Sequence, residues 1–123
     1  MNASPKLVNK TKNLEVARAV RVADSFLARA IGLMGKKSMP AGEALWFKGA
    51  LLLPANSVHT HFMRFAIDVV FTDRELVVKA IVRDLKPWRF TKPVLGAVDC
   101  FEFIAGTAAA SKIEIGDQLH VGH

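Results

Sequence analysis

The sequence predicts a mainly β fold, a small antiparallel β-barrel or sandwich with one N-terminal α-helix packed at one end. Three observations lead there. Beyond Pro40 and Gly42 the chain breaks into short apolar runs separated by turn residues, the pattern of successive short strands. Apolar residues recur at helical spacing in one segment, Phe26, Leu27, Ala30, Ile31 and Met34, which marks a helix with a single buried face. No alternation of strand and helix patterns runs along the chain, so a Rossmann-like domain is not expected.

The elements follow in order. Residues 1–12 are polar and basic, without periodicity, and read as a flexible basic leader; residues 13–123 form one β-rich domain. Leu14, Val16, Val20 and Val22 share one face of a first strand, with Arg18 interrupting it. Asp24 suits a helix N-cap, because its carboxylate can accept from free backbone amides. Gly35 suits the left-handed residue that ends the helix. Strands are expected at 44–47, 50–53, 57–62, 67–71, 76–82, 98–104 and 118–121. A hairpin turn is expected at 72–75, an exposed loop at 86–93 with its two prolines, and a single helical turn at 108–111.

Composition supports this reading. The chain has 123 residues, of which 51% are hydrophobic and 23% charged, enough to bury one core without staples. Cys100 stands alone, so neither an intrachain disulfide nor a thiolate zinc knuckle can form. It reads as a small buried hydrophobe. No apolar run approaches the ~20 residues of a membrane-spanning helix, and residues 1–13 hold no signal-peptide core. A soluble, cytoplasmic protein is expected. The net charge of +6 is already reached by Lys37, and the remainder of the chain is balanced. The excess therefore reads as a solubilising tail rather than a nucleic-acid arm.

Four segments carry a family likeness: Ala30-Ile31-Gly32-Leu33-Met34-Gly35-Lys36; the stretch from Val58 to Phe71, with His59-Thr60-His61-Phe62-Met63 followed by Ile67-Asp68-Val69; Phe101-Glu102-Phe103-Ile104-Ala105-Gly106; and Ile115-Gly116-Asp117. Together, across residues 14 to 121, they resemble the uncharacterised family DUF192. The resemblance implies a compact β-rich fold and no particular activity. His61 is not part of that family pattern, and Phe103 stands where a leucine is usual.

Several residues could carry chemistry. His59 and His61, two apart on a strand, point to one face, and with Asp68 or Glu102 they could hold a divalent metal. No resident cofactor is otherwise evident. Asp68 lies opposite Ile67, Val69 and Phe71 in a very apolar strand. It must be exposed or satisfied, by Arg64 through a turn or by backbone amides. If residues 64–68 were extended, Arg64 and Asp68 would stand about 13 Å apart. Asp68 and Glu102 are candidates for a carboxylate pair. Lys86, Trp88, Arg89, Phe90 and Lys92 interleave cations and rings in one loop, a chemistry suited to stacking on a sugar or base, or to a loop pinned by Trp88. The candidate ligand-binding residues are thus His59, Arg64, Asp68, Trp88 and Glu102. The leading function is a soluble domain that binds a small molecule or a protein. The alternatives are a metal-dependent, hydrolase-like enzyme centred on His59, His61, Asp68 and Glu102, and a basic-arm protein that meets nucleic acid or an anionic surface.

Overall fold

A computed structural model describes residues 4–23, 37–49, 58–60 and 62–123. The described residues form two sheets and one short helix. The strands are β1 (Lys6–Asn9), β2 (Leu14–Ala17), β3 (Ala19–Val22), β4 (Glu43–Phe47), β5 (Ile67–Thr72), β6 (Val78–Leu85), β7 (Asp99–Ile104) and β8 (Leu119–Gly122), and the helix is α1 (Thr107–Ala110). One sheet runs β2-β1-β8 and the other β3-β4-β7-β5-β6. Every pairing is antiparallel except the parallel pair β3/β4. No closed barrel forms among the described residues.

The centre of the five-stranded sheet is β5 and β7, and the sequence explains why. Ile-Asp-Val-Val-Phe-Thr is buried at all six positions, as a strand apolar on both faces must be when both faces are covered. Asp-Cys-Phe-Glu-Phe-Ile is buried at its first five. On one face Val70, Phe101 and Phe103 meet Leu7, Val16, Ala17 and Leu119, so both sheets share a core. On the other, Leu45, Ile67, Val69, Phe71 and Cys100 pack with Met39, Met63 and Ala97 from the connecting segments. Cys100, Met39 and Met63 are core residues, as their chemistry suggests.

The structure departs from the sequence reading at the N-terminus. Where a flexible leader is expected, Lys6–Asn9 is the middle strand of the smaller sheet. Leu7 and Asn9 are fully buried, a two-residue alternation too short to register against the lysines around it. The cations there are engaged: Lys6 pairs with Glu15 at 3.5 Å, and Lys12 with Glu114 at 2.8 Å and Asp117 at 2.7 Å. The basic arm is therefore not an arm from Lys6 onward. The expected first strand is two strands, because the chain crosses between sheets at Arg18. Its amide and that of Ala19 both donate to the carbonyl of Gly42, at 2.8 and 3.2 Å.

The remaining elements lie close to expectation. The hairpin between β5 and β6 turns on Asp73, whose Oδ1 accepts from the amides of Glu75 and Val77 at 2.9 and 3.0 Å. In place of a 57–62 strand, the described part has an isolated bridge between His59 and Phe90. The expected helix, the strand at 50–53 and His61 lie outside the described residues. No described helix is long and apolar enough to cross a membrane.

Candidate functional site

Asp68 and Glu102 occupy neighbouring rungs of the β5/β7 ladder. Asp68 stands opposite Phe103, and Val69 opposite Glu102. Because side chains alternate along a strand, the two acids project from opposite faces of the sheet. They cannot flank one scissile bond as an acid–base pair.

Asp68 is 1% exposed and accepts three backbone hydrogen bonds. Its Oδ1 receives the amide of Asp84 at 2.9 Å, and its Oδ2 the amides of Gly106 and Ala108 at 3.0 and 2.9 Å. The first secures a bulge where β6 gains a residue against Ile67–Val69, with Asp84 at a left-handed φ of 53°. The other two hold the turn into α1, where Gly106 has φ 99°, a conformation that favours glycine. The expected partner is therefore the backbone, and of distant segments rather than of a local turn. Arg64 is exposed and forms no ion pair with it.

Glu102 is 6% exposed and accepts or donates no hydrogen bond among the described residues. Its lateral neighbours are Leu45 and Val69. Burial in this apolar face pushes its pKa up to about 8, so at neutral pH it is mainly a carboxylic acid, able to donate a hydrogen bond. Burial also raises the Cys100 thiol, and Glu102 and Asp99 add to it. A thiol held this way is not a nucleophile.

Every other buried acid among the described residues has a structural partner. Asp99 accepts from the Trp46 indole at 3.2 Å and the Gly49 amide at 2.5 Å. Asp117 accepts from Asn9, Lys12 and the Glu114 amide at 3.0, 2.7 and 3.0 Å. Burial pushes its pKa up, yet these bonds outweigh burial and leave it lowered. An open cleft of about 450 Å³ beside Trp46, Lys48, Arg74 and Asp99 opens next to an acid already committed to the fold. Thr72, opposite Asp99 in register, carries a buried hydroxyl without a hydrogen-bond partner.

Segments 58–60, 62–66 and 91–97 cover Glu102's side of the sheet: Val58, Met63, Phe65, Val94 and Ala97 belong to the same core as Leu45 and Val69. Their arrangement depends on Thr60, which is fully buried. The Thr60 hydroxyl donates to the Lys86 carbonyl at 2.6 Å and accepts from the Arg89 amide at 2.9 Å. Its backbone amide donates to Arg89 O, and its carbonyl accepts from Trp88 and Met63. His59, Arg64 and Trp88 thus stand on the segments of Glu102's side, exposed to solvent, whereas Asp68 faces away. Among the described residues no three His, Cys, Asp or Glu side chains cluster as metal ligands; His61 lies outside them.

Sequence reasoning weighed the two histidines and passed over the threonine between them. The signal was present. If His59 faces outward on an extended segment, its neighbour faces inward, and a buried hydroxyl needs partners. Phe62, which the structure exposes beside Trp88, carried no such mark.

Comparison with known proteins agrees with this layout. Residues 7–121 match the model of DUF192, described as an uncharacterised ACR family. A UPF0127 protein of Pyrococcus horikoshii is 41% identical over 114 residues, covering 92% of this chain and 96% of the relative. One from Pyrococcus furiosus is 40% identical over 116 residues, covering 92% and 95%. A crystal structure of a protein of unknown function from Novosphingobium aromaticivorans superposes with a TM-score of 0.81 at 24% identity, over 94% of this chain and 83% of that one, and so shares its fold. Two motif acids, Asp68 and Asp117, account for that fold by bonding distant segments, and the chain belongs to the DUF192 family.

Proposed function

We propose that the chain is a small binding domain whose ligand is held on Glu102. One observation carries this: among the described residues, Glu102 is a buried carboxyl with no hydrogen-bond partner, whereas the other buried acids are all satisfied. An unpaired buried polar group costs about 1–3 kcal/mol. A leucine or glutamine at this place would avoid the ionisable group, so the carboxyl earns its position by meeting something from outside. Protonated at neutral pH, it would donate to a carbonyl or similar acceptor on an otherwise apolar molecule, the usual make-up of a small-ligand site. A cytoplasmic setting fits a single, buried thiol.

The test is a thermal-shift panel of acceptor-bearing apolar molecules against the parent and Glu102→Leu. A ligand present at 100 times its dissociation constant adds about 2.7 kcal/mol. The expected result is a variant that melts higher than the parent without ligand and no longer responds to the ligand that shifts the parent. A variant that melts lower than the parent would give Glu102 a role in the fold and remove the proposal.

A second reading draws on the same pKa. A carboxyl poised near neutrality can pass a proton to and from a substrate, which supports an enzyme that uses Glu102 as its acid or base. The metal-dependent version would rely on His59 and Glu102 from one side of the sheet together with His61, with Asp68 outside the ligand set. Turnover lost in Glu102→Gln with binding retained would favour the enzyme.

A further inference from the structure

The face of the larger sheet turned away from Glu102 carries a second feature. Trp46 stands opposite Phe101 in register, and Asp99, two residues before Phe101, projects to the same side. Beside them lies the open cleft of about 450 Å³, lined by Trp46, Lys48, Arg74, Leu76, Val98 and Asp99. Small-molecule sites span about 300–1,000 Å³ and combine apolar walls with a few placed polar groups, and this cleft has that make-up.

Its walls are held in place. The Trp46 ring stacks on Phe101, with centroids 5.3 Å apart and planes 20° apart. Its indole N–H donates to Asp99 at 3.2 Å, and Lys48 Nζ lies 5.1 Å from its ring centroid. Leu76 sits at a left-handed φ of 65°, which a bulky residue keeps only where its surroundings enforce it. Its amide donates to the Asp73 carbonyl at 3.1 Å, and its carbonyl accepts from the Leu119 amide at 3.0 Å. Walls fixed before a ligand arrives reduce the ordering that binding requires.

The charges of the cleft are out of balance. Its carboxylate, Asp99, accepts from two neutral donors, the Trp46 indole and the Gly49 amide. Lys48 and Arg74 are exposed, and neither forms an ion pair with Asp99 or with any other acid among the described residues. Asp73, next to Arg74 in the chain, is engaged by Lys79 at 3.6 Å. Two uncompensated cations against one carboxylate leave the cleft positive. That charge matches one anionic group on a small molecule, whereas a polyanion or a membrane surface engages a row of cations.

We propose that this cleft binds a small organic anion, its carboxylate or phosphate met by Lys48 and Arg74 and its apolar body packed along Trp46, Leu76 and Val98. The site is separate from the one proposed at Glu102, which lies on the other face of the sheet.

The experiment is an amide-proton NMR titration of the isotope-labelled whole chain with benzoate, phenyl phosphate, inorganic phosphate and neutral benzamide. Benzoate or phenyl phosphate is expected to shift the amides of Gly49, Leu76 and Val98 and the Trp46 indole N–H along one saturation curve, and the tighter of the two names the charged group. Benzamide, which lacks the charge, and inorganic phosphate, which lacks the apolar body, should each bind about tenfold more weakly. Lys48→Gln and Arg74→Gln should each weaken binding by about fivefold, the upper range for a charge pair at a surface, and added salt should do the same. Lys112→Gln, an exposed cation outside the cleft, should bind as the parent does. Arg74 is exposed on a turn, so its variant keeps the fold, and a matching thermal melt verifies that. The proposal is overturned by flat spectra with both organic anions at millimolar concentration, by benzamide binding as well as benzoate, by inorganic phosphate binding as well as phenyl phosphate, by unchanged affinity in Arg74→Gln, or by shifts centred on 58–60 and 91–97 in place of the cleft.

Discussion

Asp68 and Glu102 are a natural pair for comparison, because they differ in little but the face they point to. Each is an acid on a central strand, each is almost wholly buried, and they sit on adjacent rungs of one ladder. Asp68 receives three backbone amides from two distant segments. Glu102 receives none among the described residues, and its acidity is displaced to about 8. The first acid builds the molecule. The second is tolerated by it, and a buried group that the fold tolerates without using is where function is to be sought.

The largest expected effect tests the first half of that contrast. Asp68→Ala takes the acceptor from three backbone amides, that of Ala108 buried and those of Asp84 and Gly106 partly so, and should cost about 4 kcal/mol, read as a lowered midpoint in urea at unchanged m-value. A loss below 1 kcal/mol would remove Asp68 as the clasp between the β6 bulge and the turn into α1.

The second half is tested by pH. Glu102 has its ordinary pKa near 4.5 in the unfolded chain and about 8 in the folded one. Its protonated form is therefore favoured by folding, and its contribution is complete below the unfolded value. That contribution is lost progressively as pH rises through about 8. Between pH 5 and 7.5 the protein should lose about 3 kcal/mol from this residue, and Glu102→Gln should flatten that slope. Denaturant titrations of the parent and the variant across this range measure it, and parallel curves would contradict the assignment.

A smaller effect is expected at the loops. Thr60→Val keeps shape and removes the hydroxyl that joins 58–60 to 86–89. It should cost about 2 kcal/mol and speed amide exchange at Arg89. At the bottom of the scale, Trp88→Ala should change stability by no more than about 0.5 kcal/mol, since the ring is mostly in solvent. A larger loss would make Trp88 a packing residue.

Part of the low-pH behaviour belongs to Asp117, whose lowered pKa marks a contribution present at neutral pH. Acid removes it as the carboxylate that Asn9, Lys12 and the Glu114 amide hold becomes protonated. Its effect on stability runs opposite in sign to that of Glu102, so the two are separable in one titration.

Most of the strand content was legible from local pattern. The alternation in residues 67–71 and 98–104, the turn at Asp73, and the breaks at Gly106 and Gly116 are properties of a few neighbouring residues. The period of a strand and the φ of a glycine express themselves locally. The alternation also told that Asp68 lies opposite Ile67, Val69 and Phe71. What the pattern could not give was the partner of any strand. Lys6–Asn9 reads as a polar leader until β8, more than a hundred residues away, supplies the edge that makes it a middle strand. Register, too, is set between strands and not within them. Only the β5/β7 pairing places Asp68 and Glu102 back to back, and only the meeting of 58–60 with 86–90 joins two loops through the Thr60 hydroxyl. Sequence by itself determined which residues are acidic, aromatic and apolar and with what period they recur. Tertiary structure decided which acids are satisfied and which one is left over, because hydrogen-bond partners and burial are relations between segments that meet only when the chain is folded.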